Sequence, residues 1–593
     1  MSKSNKSLLT RMLIWRLRHV SNRSFVLFLS VIVGLAAGLS AVIIKNSVHL
    51  IKLILQGGFD GKFGDYLILV LPIFGIFLAV LFIKYVNKHP VNHGVPGTLY
   101  AISSNNGIMK RHNMFSSIIT STLTVGFGGS VGLEGPTVST GAAIGSNLGR
   151  LLHLNYRQIV LLLGCAAAGA MSAIFKSPVA AIVFVLEVIM LDLTMSSLLP
   201  LLLASVSAVL TSYLFFGQDV LYAVNTESSF TLNEIPLFII LGVLAGLMSV
   251  YFTRSYMFIG RVFENIKKQS KRLIIGGFSL GVLIFLFPAL YGEGYEIINM
   301  SLEGDFSYIF EGAIFKSFSD SILVVSILLL LIVLLKVIAT SVTFGSGGVG
   351  GIFAPTLFIG ANFGLLFATI HNHFSPKTID VSNYALIGMG GMIAGVLHAP
   401  LTAIFLIAEI TGGYELIIPL MITAAISYVT IKSFESNSVY TIQLAKRKQL
   451  ITHDKDKSVL SFMKVTKLIE KDFLCIKLDA TLGDLVQHIT KSSRNIFPVI
   501  DDENNFYGIV ILDNIRHIMF KQEMYDNTYV RNLMIKPITT VDTEDSMEDV
   551  AQKFQKTGRY NIVVIKDGKY IGFISRARVF SSYRKLLKEW SDE

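Results

Sequence analysis

The sequence predicts an all-α polytopic membrane domain with an internal repeat, followed by a soluble α/β domain pair. Hydrophobic residues make up 52% of the 593 residues and charged residues only 15%, a composition too apolar for ordinary soluble domains. The last 143 residues nevertheless hold 22 Lys and Arg and 21 Asp and Glu. Two glycine-rich segments also share one residue order. These observations separate a lipid-embedded part from a soluble tail near residue 450.

The distribution of charge predicts the orientation. Residues 1–24 carry six Lys and Arg and no acidic residue, which is typical of a cytoplasmic N-terminus. We expect the charge-balanced tail to stay on the same side, so both termini of this integral multi-pass protein face the cytoplasm. Of the net charge of +11, all but one unit lies in residues 1–450, which argues against nucleic acid as a partner. The two cysteines offer neither a disulfide framework nor a metal site.

Some apolar stretches are plain membrane spans and others are interrupted. Uninterrupted stretches of about 20 residues, the length of a spanning helix, occupy residues 25–44, 66–86, 235–252 and 321–340. Residues 157–190 are too long for one crossing and contain Pro178, while residues 122–149 and 345–364 are rich in glycine. Backbone that leaves a helix inside the bilayer needs hydrogen-bond partners from protein or a wet cavity. The interruptions therefore predict a transport pathway.

The interrupted segments are related in pairs. Residues 132–145 and 351–364 share Gly, Pro, Thr, Gly, Ala and Gly in register at a spacing of 219. Corresponding Gly/Pro-interrupted segments are typical of transporters whose substrate site lies between two repeated halves. We assign the halves to about residues 25–220 and 235–445. Close packing of small residues accounts for the glycines but not for their shared order.

A second pair of positions follows the repeated segments. Pro178 precedes Glu187 by nine residues, and Pro400 precedes Glu409 by nine. Each glutamate ends an apolar segment. Structural hydrogen bonding, an interfacial location and a functional role all remain open for these two residues.

Three segments suit helix starts that face an anion: Gly94-Val-Pro96, residues 132–136 and residues 351–355. The first N–H groups of a helix lack partners, and its aligned dipoles place about half a positive charge there. Glycine lets the backbone approach an ion, and proline is tolerated in the first turn. Several such partial charges bind a small anion without trapping it.

Glu134 lies within the second of these segments. An ionisable side chain beside an anion site in the membrane is costly and functional by default. Its carboxylate can occupy the place of the anion, so protonation would vacate the site and make conduction depend on pH. The alternative is a glutamate that only caps its helix.

The remaining polar residues do not predict an enzyme. The sequence lacks a Ser/His/Asp arrangement, paired catalytic carboxylates and a phosphate-binding loop. Lys176 and Lys336 lie inside apolar segments and either steer anions or extend to the surface. The membrane part has too few acidic residues in register for a divalent-cation site.

The tail repeats on a different pattern. Thr481-Leu-Gly-Asp484 and Ser546-Met-Glu-Asp549 resemble helix N-caps. Each helix leads into two β-rich segments, at residues 496–500 and 508–512 in the first copy and 561–565 and 572–575 in the second. Two strand-helix-strand-strand units predict a small α/β regulatory pair.

Several motifs resemble those of the CLC family of chloride channels and chloride/proton exchangers. They are Gly132-Leu-Glu-Gly-Pro136, Gly351-Ile-Phe-Ala-Pro355, Asn92-His-Gly-Val-Pro96 and, beyond the last span, Tyr440. The resemblance covers about residues 25–445, and the tail is similar to paired CBS domains. The resulting division is a basic N-terminus at 1–24, a CLC-type domain at 25–445, a linker at 446–462 and CBS domains at 463–522 and 528–588.

The resemblance implies a homodimer with one anion pathway in each subunit, built from two inverted halves. Glu134 matches the gating glutamate of the family. The backbone N–H groups of Ile352 and Phe353 and the hydroxyl of Tyr440 would surround the central chloride. The predicted chloride-binding set is completed by Leu133 in the outer part and by His93 and Gly94 of the first motif.

His93 departs from the family pattern, since many members have serine there. Selectivity among chloride, nitrate and bromide is therefore open, and a packed, non-coordinating histidine is the alternative role. The retained Gly351–Pro355 motif and Tyr440 argue against a fluoride exporter.

Val188 is the second departure, because similar exchangers carry an inner glutamate at this position. Valine cannot relay a proton. We therefore favour passive, channel-like chloride conduction gated by Glu134. Proton-coupled exchange is the alternative, with Glu187 or a chain of waters as a substitute for the missing acid.

If the tail binds a ligand, we expect that ligand to be an adenine nucleotide. The alternative is that the tail forms only a structural contact. Similar CBS domains contact nucleotides through a Ser or Thr three residues after a glycine and an Asp six after it. These positions are Ile511 and Asn514 in the first copy and Ser575 and Arg578 in the second. Only Ser575 fits, so we favour the structural role and expect no required cofactor. A membrane-anchored nucleotide sensor would have featureless spans, contrary to the interrupted repeats.

Overall fold

The computed structural model describes residues 15–16, 18–57, 64–89, 91, 94–189, 195–222, 230–310, 321–446, 460 and 463–591. His93, most of the predicted N-terminal segment 1–24 and most of the predicted linker 446–462 lie outside these residues. The chain forms two compact units, Met1–Leu450 and Ile451–Glu593.

The described part of the first unit is helical. Its helices are α1 (Asn22–Gly57), α2 (Gly64–Leu81), α3 (Val95–Ser104), α4 (Asn113–Gly126), α5 (Glu134–Leu151), α6 (Tyr156–Phe175), α7 (Pro178–Phe184), α8 (Met195–Phe216), α9 (Ile235–Glu264), α10 (Gln269–Leu286), α11 (Tyr295–Glu303), α12 (Ile322–Ser346), α13 (Phe353–Phe374), α14 (Val381–Leu397), α15 (Pro400–Thr411), α16 (Ile417–Lys432) and α17 (Ile442–Lys446). Shorter π-helical turns occupy Phe82–Asn87 and Val185–Ile189, and 3₁₀ turns occupy Leu232–Glu234, Pro288–Leu290 and Ser307–Phe310.

Eight helices in the described residues are long and apolar enough to cross a membrane. The uninterrupted stretches 25–44, 235–252 and 321–340 coincide with α1, α9 and α12, and the stretch 66–86 spans α2 and the π-helical turn that follows it. The interrupted stretches are broken as predicted: the 157–190 stretch divides at Pro178 into α6 and α7. The glycine-rich stretches contain the gaps between α4 and α5 and between α12 and α13.

The two halves repeat one packing pattern. Helix α5 packs on α6 as α13 packs on α14, and α1 packs on α8 as α9 packs on α16. The breaks are also equivalent, because Lys176 and His398 end α6 and α14 in the left-handed conformation with φ of 56°. A proline at the first turn then begins the next helix in each half.

Glu187 and Glu409 join the halves through reciprocal helix caps. Glu187 in the first half accepts the N–H groups of Leu401 (3.2 Å) and Thr402 (2.8 Å) at the start of α15. Glu409 in the second half accepts the N–H groups of Val179 (3.1 Å) and Ala180 (2.8 Å) at the start of α7. A carboxylate is favourable at a helix N-terminus. These contacts therefore correspond to structural hydrogen bonding, one of the three roles that the sequence left open for the two glutamates.

The second unit contains two three-stranded sheets, with orders β1-β2-β3 and β4-β5-β6. In each sheet the first strand pair is parallel and the second antiparallel. The elements are β1 (Ile476–Lys477), α19 (Leu482–Lys491), β2 (Ile496–Ile500), β3 (Phe506–Ile511), β4 (Thr540–Asp542), α22 (Met547–Thr557), β5 (Asn561–Lys566) and β6 (Lys569–Ser575), with shorter helices α18 (Val465–Leu468), α20 (Leu512–Ile515) and α21 (Val530–Leu533) and a final α23 (Arg576–Ser591). Two strand-helix-strand-strand units are thus present, as the sequence predicted.

The predicted N-caps explain where the two tail helices begin. Thr481 accepts the N–H of Asp484 in a capping box, and Ser546 accepts the N–H of Asp549. Each cap satisfies an N–H group that has no partner within its helix.

Candidate anion site

The three glycine–proline segments meet inside the first unit. Gly132 donates its N–H to the Gly351 carbonyl at 2.8 Å and accepts the Gly351 N–H at 2.7 Å. This antiparallel bridge joins equivalent positions of the two halves. Gly94 lies against the same place, because a Cβ added to it would come within 3.0 Å of the backbone of Gly135.

Each segment positions the start of a helix. Helix α3 begins just after Gly94, which has a φ of +58° that favours glycine. Helix α5 begins at Glu134 and α13 at Phe353, immediately beyond the bridge. Three positive helix ends therefore converge, which is the arrangement that attracts an anion in a medium of low polarity.

Glu134 lies at this convergence and is 2% exposed. Its carboxylate accepts the hydroxyl of Tyr295 and the N–H of Ala354 (3.4 Å) in the first turn of α13. The carboxylate also occupies the space beside Gly132 that a side chain there would need. The acid of one half thus occupies the helix end of the other half, as a bound anion would.

The predicted chloride-binding residues in the described region are buried near this point. Leu133 is the N-cap of α5 and Ile352 the N-cap of α13. The Phe353 ring lies 5.2 Å from that of Phe175, which ends α6. Tyr440 is buried and close enough to Glu134 to interact with it electrostatically. His93 lies outside the described residues, so its predicted role stays a prediction.

The predicted proton-pathway positions differ in environment. Val188 is buried in the π-helical turn Val185–Ile189. Glu187 directs its carboxylate to the start of α15, where the Thr402 hydroxyl also donates to it at 2.7 Å. The sequence left Glu187 open as a substitute proton carrier, and its observed contacts are those of a cap.

Lys176 and Lys336, the two lysines inside apolar segments, both donate hydrogen bonds to backbone carbonyls. The Nζ of Lys176 donates to the carbonyl of Phe216 (3.2 Å), the last residue of α8, and to that of Asp219 (2.7 Å) beyond it. Lys336 is fully buried and donates to the carbonyls of Leu290 (3.3 Å) and Gly292 (3.0 Å). For Lys336 the expectation that it extends to the surface is wrong, because the loop before α11 supplies oxygen acceptors inside the protein.

Sequence reasoning missed the polar residues that surround Glu134. These are Lys45, Tyr222, Glu293 and Tyr295. The available signal was the Gly292-Glu-Gly-Tyr295 string between apolar helices, which places an acid and a tyrosine in a turn at the end of a membrane helix. Nothing local indicates that this turn contacts residues 133 and 134.

The Ser575 hydroxyl already has hydrogen-bond partners within its own domain. Its hydroxyl donates to the Glu470 carboxylate and accepts the N–H of Arg578 at 3.2 Å. A separate cavity of about 340 Å³ lies between the two strand-helix units. Ser575 does not line it, and its polar lining comprises Asn495, Asp513, Lys536, Thr539, Thr557, Arg559, Tyr560 and Asn561.

Comparison with known families agrees with both units. The family model described as "Voltage gated chloride channel" matches residues 74–432. The CBS domain model matches twice, at residues 465–521 and 530–585.

Curated relatives carry two kinds of name. The H(+)/Cl(-) exchange transporter ClcA of Vibrio cholerae is 30% identical over 416 residues, which are 67% of this chain and 84% of the relative. A Ralstonia nicotianae relative, named for a ClcB-like chloride channel protein, is 29% identical over 429 residues, 70% of this chain and 96% of the relative.

Solved structures share the fold. A slow cyanobacterial Cl-/H+ antiporter aligns with a TM-score of 0.62 and 23% identity, covering 72% of this chain and 99% of that one. A eukaryotic CLC transporter aligns with the same TM-score of 0.62 and 17% identity, covering 96% of this chain and 99% of that one. The converging helix ends, the repeated halves and these matches lead to one conclusion: the chain belongs to the voltage gated chloride channel (CLC) family and carries two CBS domains.

Proposed function

We propose that this protein exchanges chloride for protons across the membrane, with Glu134 as the group that alternates with the anion and binds the proton. The observation that carries the proposal is the Glu134 carboxylate at the start of α13, against the N–H of Ala354. An ionised carboxylate there competes with chloride for the same positive helix end. Family membership supports chloride as the transported anion.

The proposed cycle follows from this competition. When Glu134 is ionised, its carboxylate fills the anion position. Protonation removes the negative charge and weakens its attraction to the helix end, so chloride can bind to the N–H groups of Ile352 and Phe353 and to the Tyr440 hydroxyl. Leu133 and Gly94 line the outer part of the route, and His93 has no assigned step. Proton binding and chloride binding then alternate, which couples the two fluxes.

The proposed exchange differs from the passive conduction that the sequence favoured because of Val188. Relatives that are 30% and 31% identical over two thirds or more of the chain are named H(+)/Cl(-) exchange transporters. With valine at position 188 one proton acceptor is missing, but Glu134 remains. The valine therefore supports conduction less strongly than the names of these relatives support exchange.

Assembly and orientation belong to the same proposal. The starts of α3, α5 and α13 converge within a single chain, which supports one pathway in each subunit. The family resemblance supports a homodimer of two such pathways, and the basic residues of segment 1–24 support cytoplasmic termini. Cross-linking in liposomes checks the dimer. Protease added outside checks the side of the membrane on which the tail lies.

The reversal potential of purified protein in liposomes tests the proposal under opposed chloride and proton gradients. Exchange predicts a value displaced from the ideal chloride potential. The variant Glu134→Gln should carry chloride with no proton movement and with most of the acid response lost. The exposed Glu303→Gln is the matched control and should behave like wild type. An ideal chloride potential in wild type would instead establish passive conduction and reject exchange.

A further inference from the structure

Glu293 is a second buried carboxylate beside Glu134. It lies in the turn before α11 and is 9% exposed. Its carboxylate lies near the backbone of Leu133, and Tyr295, two residues further on, donates its hydroxyl to Glu134. A hydrogen bond therefore joins Tyr295 to Glu134, and Glu293 is close enough to Glu134 for the two acids to interact electrostatically.

The turn that carries Glu293 is held rigidly. The buried Lys336 donates to the carbonyls of Leu290 and Gly292 on the N-terminal side of Glu293. Gly292 also donates its N–H to the Gly128 carbonyl at 3.3 Å, in the segment that leads to Glu134. The approach of Glu293 to Leu133 is thus set by backbone contacts on both segments.

The charges around Glu293 are mixed. Lys45 of α1 interacts electrostatically with both carboxylates and donates to the carbonyl of Ile174 at 2.7 Å. Lys52 and Lys336 also interact with Glu293. Two neighbouring buried carboxylates repel each other when both are ionised. Two acids in such an arrangement favour states in which they share a proton.

Two tyrosine hydroxyls accompany the two acids. The Tyr222 and Tyr295 rings are 6.4 Å apart, and each tyrosine interacts electrostatically with both carboxylates. Tyr222 is 1% exposed, and its hydroxyl has no hydrogen-bond partner among the described residues. A buried hydroxyl is costly without a partner, so a water or a transient proton donor is expected beside it.

We propose that Glu293 is a second proton-holding residue of the exchange cycle, linked to Glu134 through the hydroxyls of Tyr295 and Tyr222. The Glu293 O–H bond breaks as its proton passes to a hydroxyl oxygen, and that hydroxyl gives up its own proton to Glu134. One proton moves, no charge is created, and Glu293 is left ionised beside Lys45 and Lys336. This step rests on the proposed function and adds a second proton acceptor beside Glu134.

Full-length protein in liposomes tests the proposal by its ratio of proton to chloride flux. Glu293→Gln should keep chloride transport while the proton flux falls by about a hundredfold or more, the lower end of the usual effect of a lost acid–base group. The reversal potential should move towards the ideal chloride value. Glu293→Asp should restore part of the coupling, and Glu296→Gln, which is exposed in the first turn of α11, should match wild type.

The outcomes separate the two proposals. An ideal chloride potential in wild type rejects exchange as a whole. If the potential is displaced in wild type and equally displaced in folded Glu293→Gln, only the role of Glu293 is rejected. An equal loss of chloride and proton flux in the variant also rejects that role, because it indicates that Glu293 is needed only for the structure. If Glu293→Gln does not fold, Tyr222→Phe decides: a lower proton-to-chloride ratio supports the relay, and a wild-type ratio rejects it.

Discussion

Gly132 and Gly351 exchange two backbone hydrogen bonds, with N–O distances of 2.8 and 2.7 Å, although they lie 219 residues apart. Each is the first residue of its repeated segment, and each is followed within two residues by a helix start. The pair therefore brings the starts of α5 and α13 to one point. Because equivalent residues pair reciprocally and antiparallel, the contact has the form expected for two halves related by a two-fold axis.

Gly351→Ala should disrupt this contact. A Cβ at Gly351 would lie 2.8 Å from the N atom of Gly135, a backbone atom that cannot move without shifting α5. We expect a loss of about 1–3 kcal/mol in unfolding free energy, as for other overpacked sites, and a severe loss of chloride flux. Thermal unfolding in detergent and liposome flux are the measurements. Gly260→Ala is the control, since a Cβ there meets nothing within 4 Å, and equal behaviour of the two variants would contradict the prediction.

Glu187→Gln and Glu409→Gln should resemble each other. Each removes the charge from a cap that joins the two halves, so each should lower the unfolding free energy by about 1 kcal/mol, the usual scale for an N-cap. The proton-to-chloride ratio should not change in either variant. A loss of proton coupling confined to Glu187→Gln, with an unaltered unfolding midpoint, would show that Glu187 carries protons after all.

Arg494→Met should destabilise the C-terminal unit in a pH-dependent way. Arg494 donates to Asp472 at 2.6 Å and to Glu470 at 2.8 Å. The hydrogen bond from Arg494 lowers the pKa of Asp472. A lowered pKa means that this stabilisation is present above the usual aspartate pKa of about 3.9 and is lost as the pH falls through the folded value.

The measurement is the unfolding midpoint of the C-terminal unit within the full-length protein. The difference between wild type and Arg494→Met should be largest at pH 7 and smaller below about pH 4. Arg531→Met is the control, because its pair with Asp479 is exposed and 3.6 Å long and such pairs contribute little. A difference that grows on acidification would refute the assignment.

Ser575→Ala should act on stability and not on nucleotide binding. The Ser575 hydroxyl is committed to Glu470, so its removal should cost about 1 kcal/mol of unfolding free energy. Any shift of the unfolding midpoint that ATP causes in wild type should persist in the variant. The exposed Ser581→Ala serves as the control. Disappearance of an ATP-induced shift in Ser575→Ala alone would assign the serine to the nucleotide.

Much of the fold was predictable because its signals are local. A run of apolar residues predicts a span, and Pro178 or a cluster of glycines predicts a break, since each changes the backbone within a few residues. The same holds for the caps at Thr481 and Ser546 in the tail. The repeat at a spacing of 219 extended this reasoning to Gly132 and Gly351.

The sequence by itself determined the membrane class, the two repeated halves, the α/β tail and the identity of Glu134 as the acid among the helix starts. Only the tertiary structure decided which groups meet that acid. Tyr295 is 161 residues from Glu134, and Glu187 is 215 from Thr402. Helical periodicity relates residues three or four positions apart, whereas contacts across such separations depend on how the helices pack, which no single segment encodes.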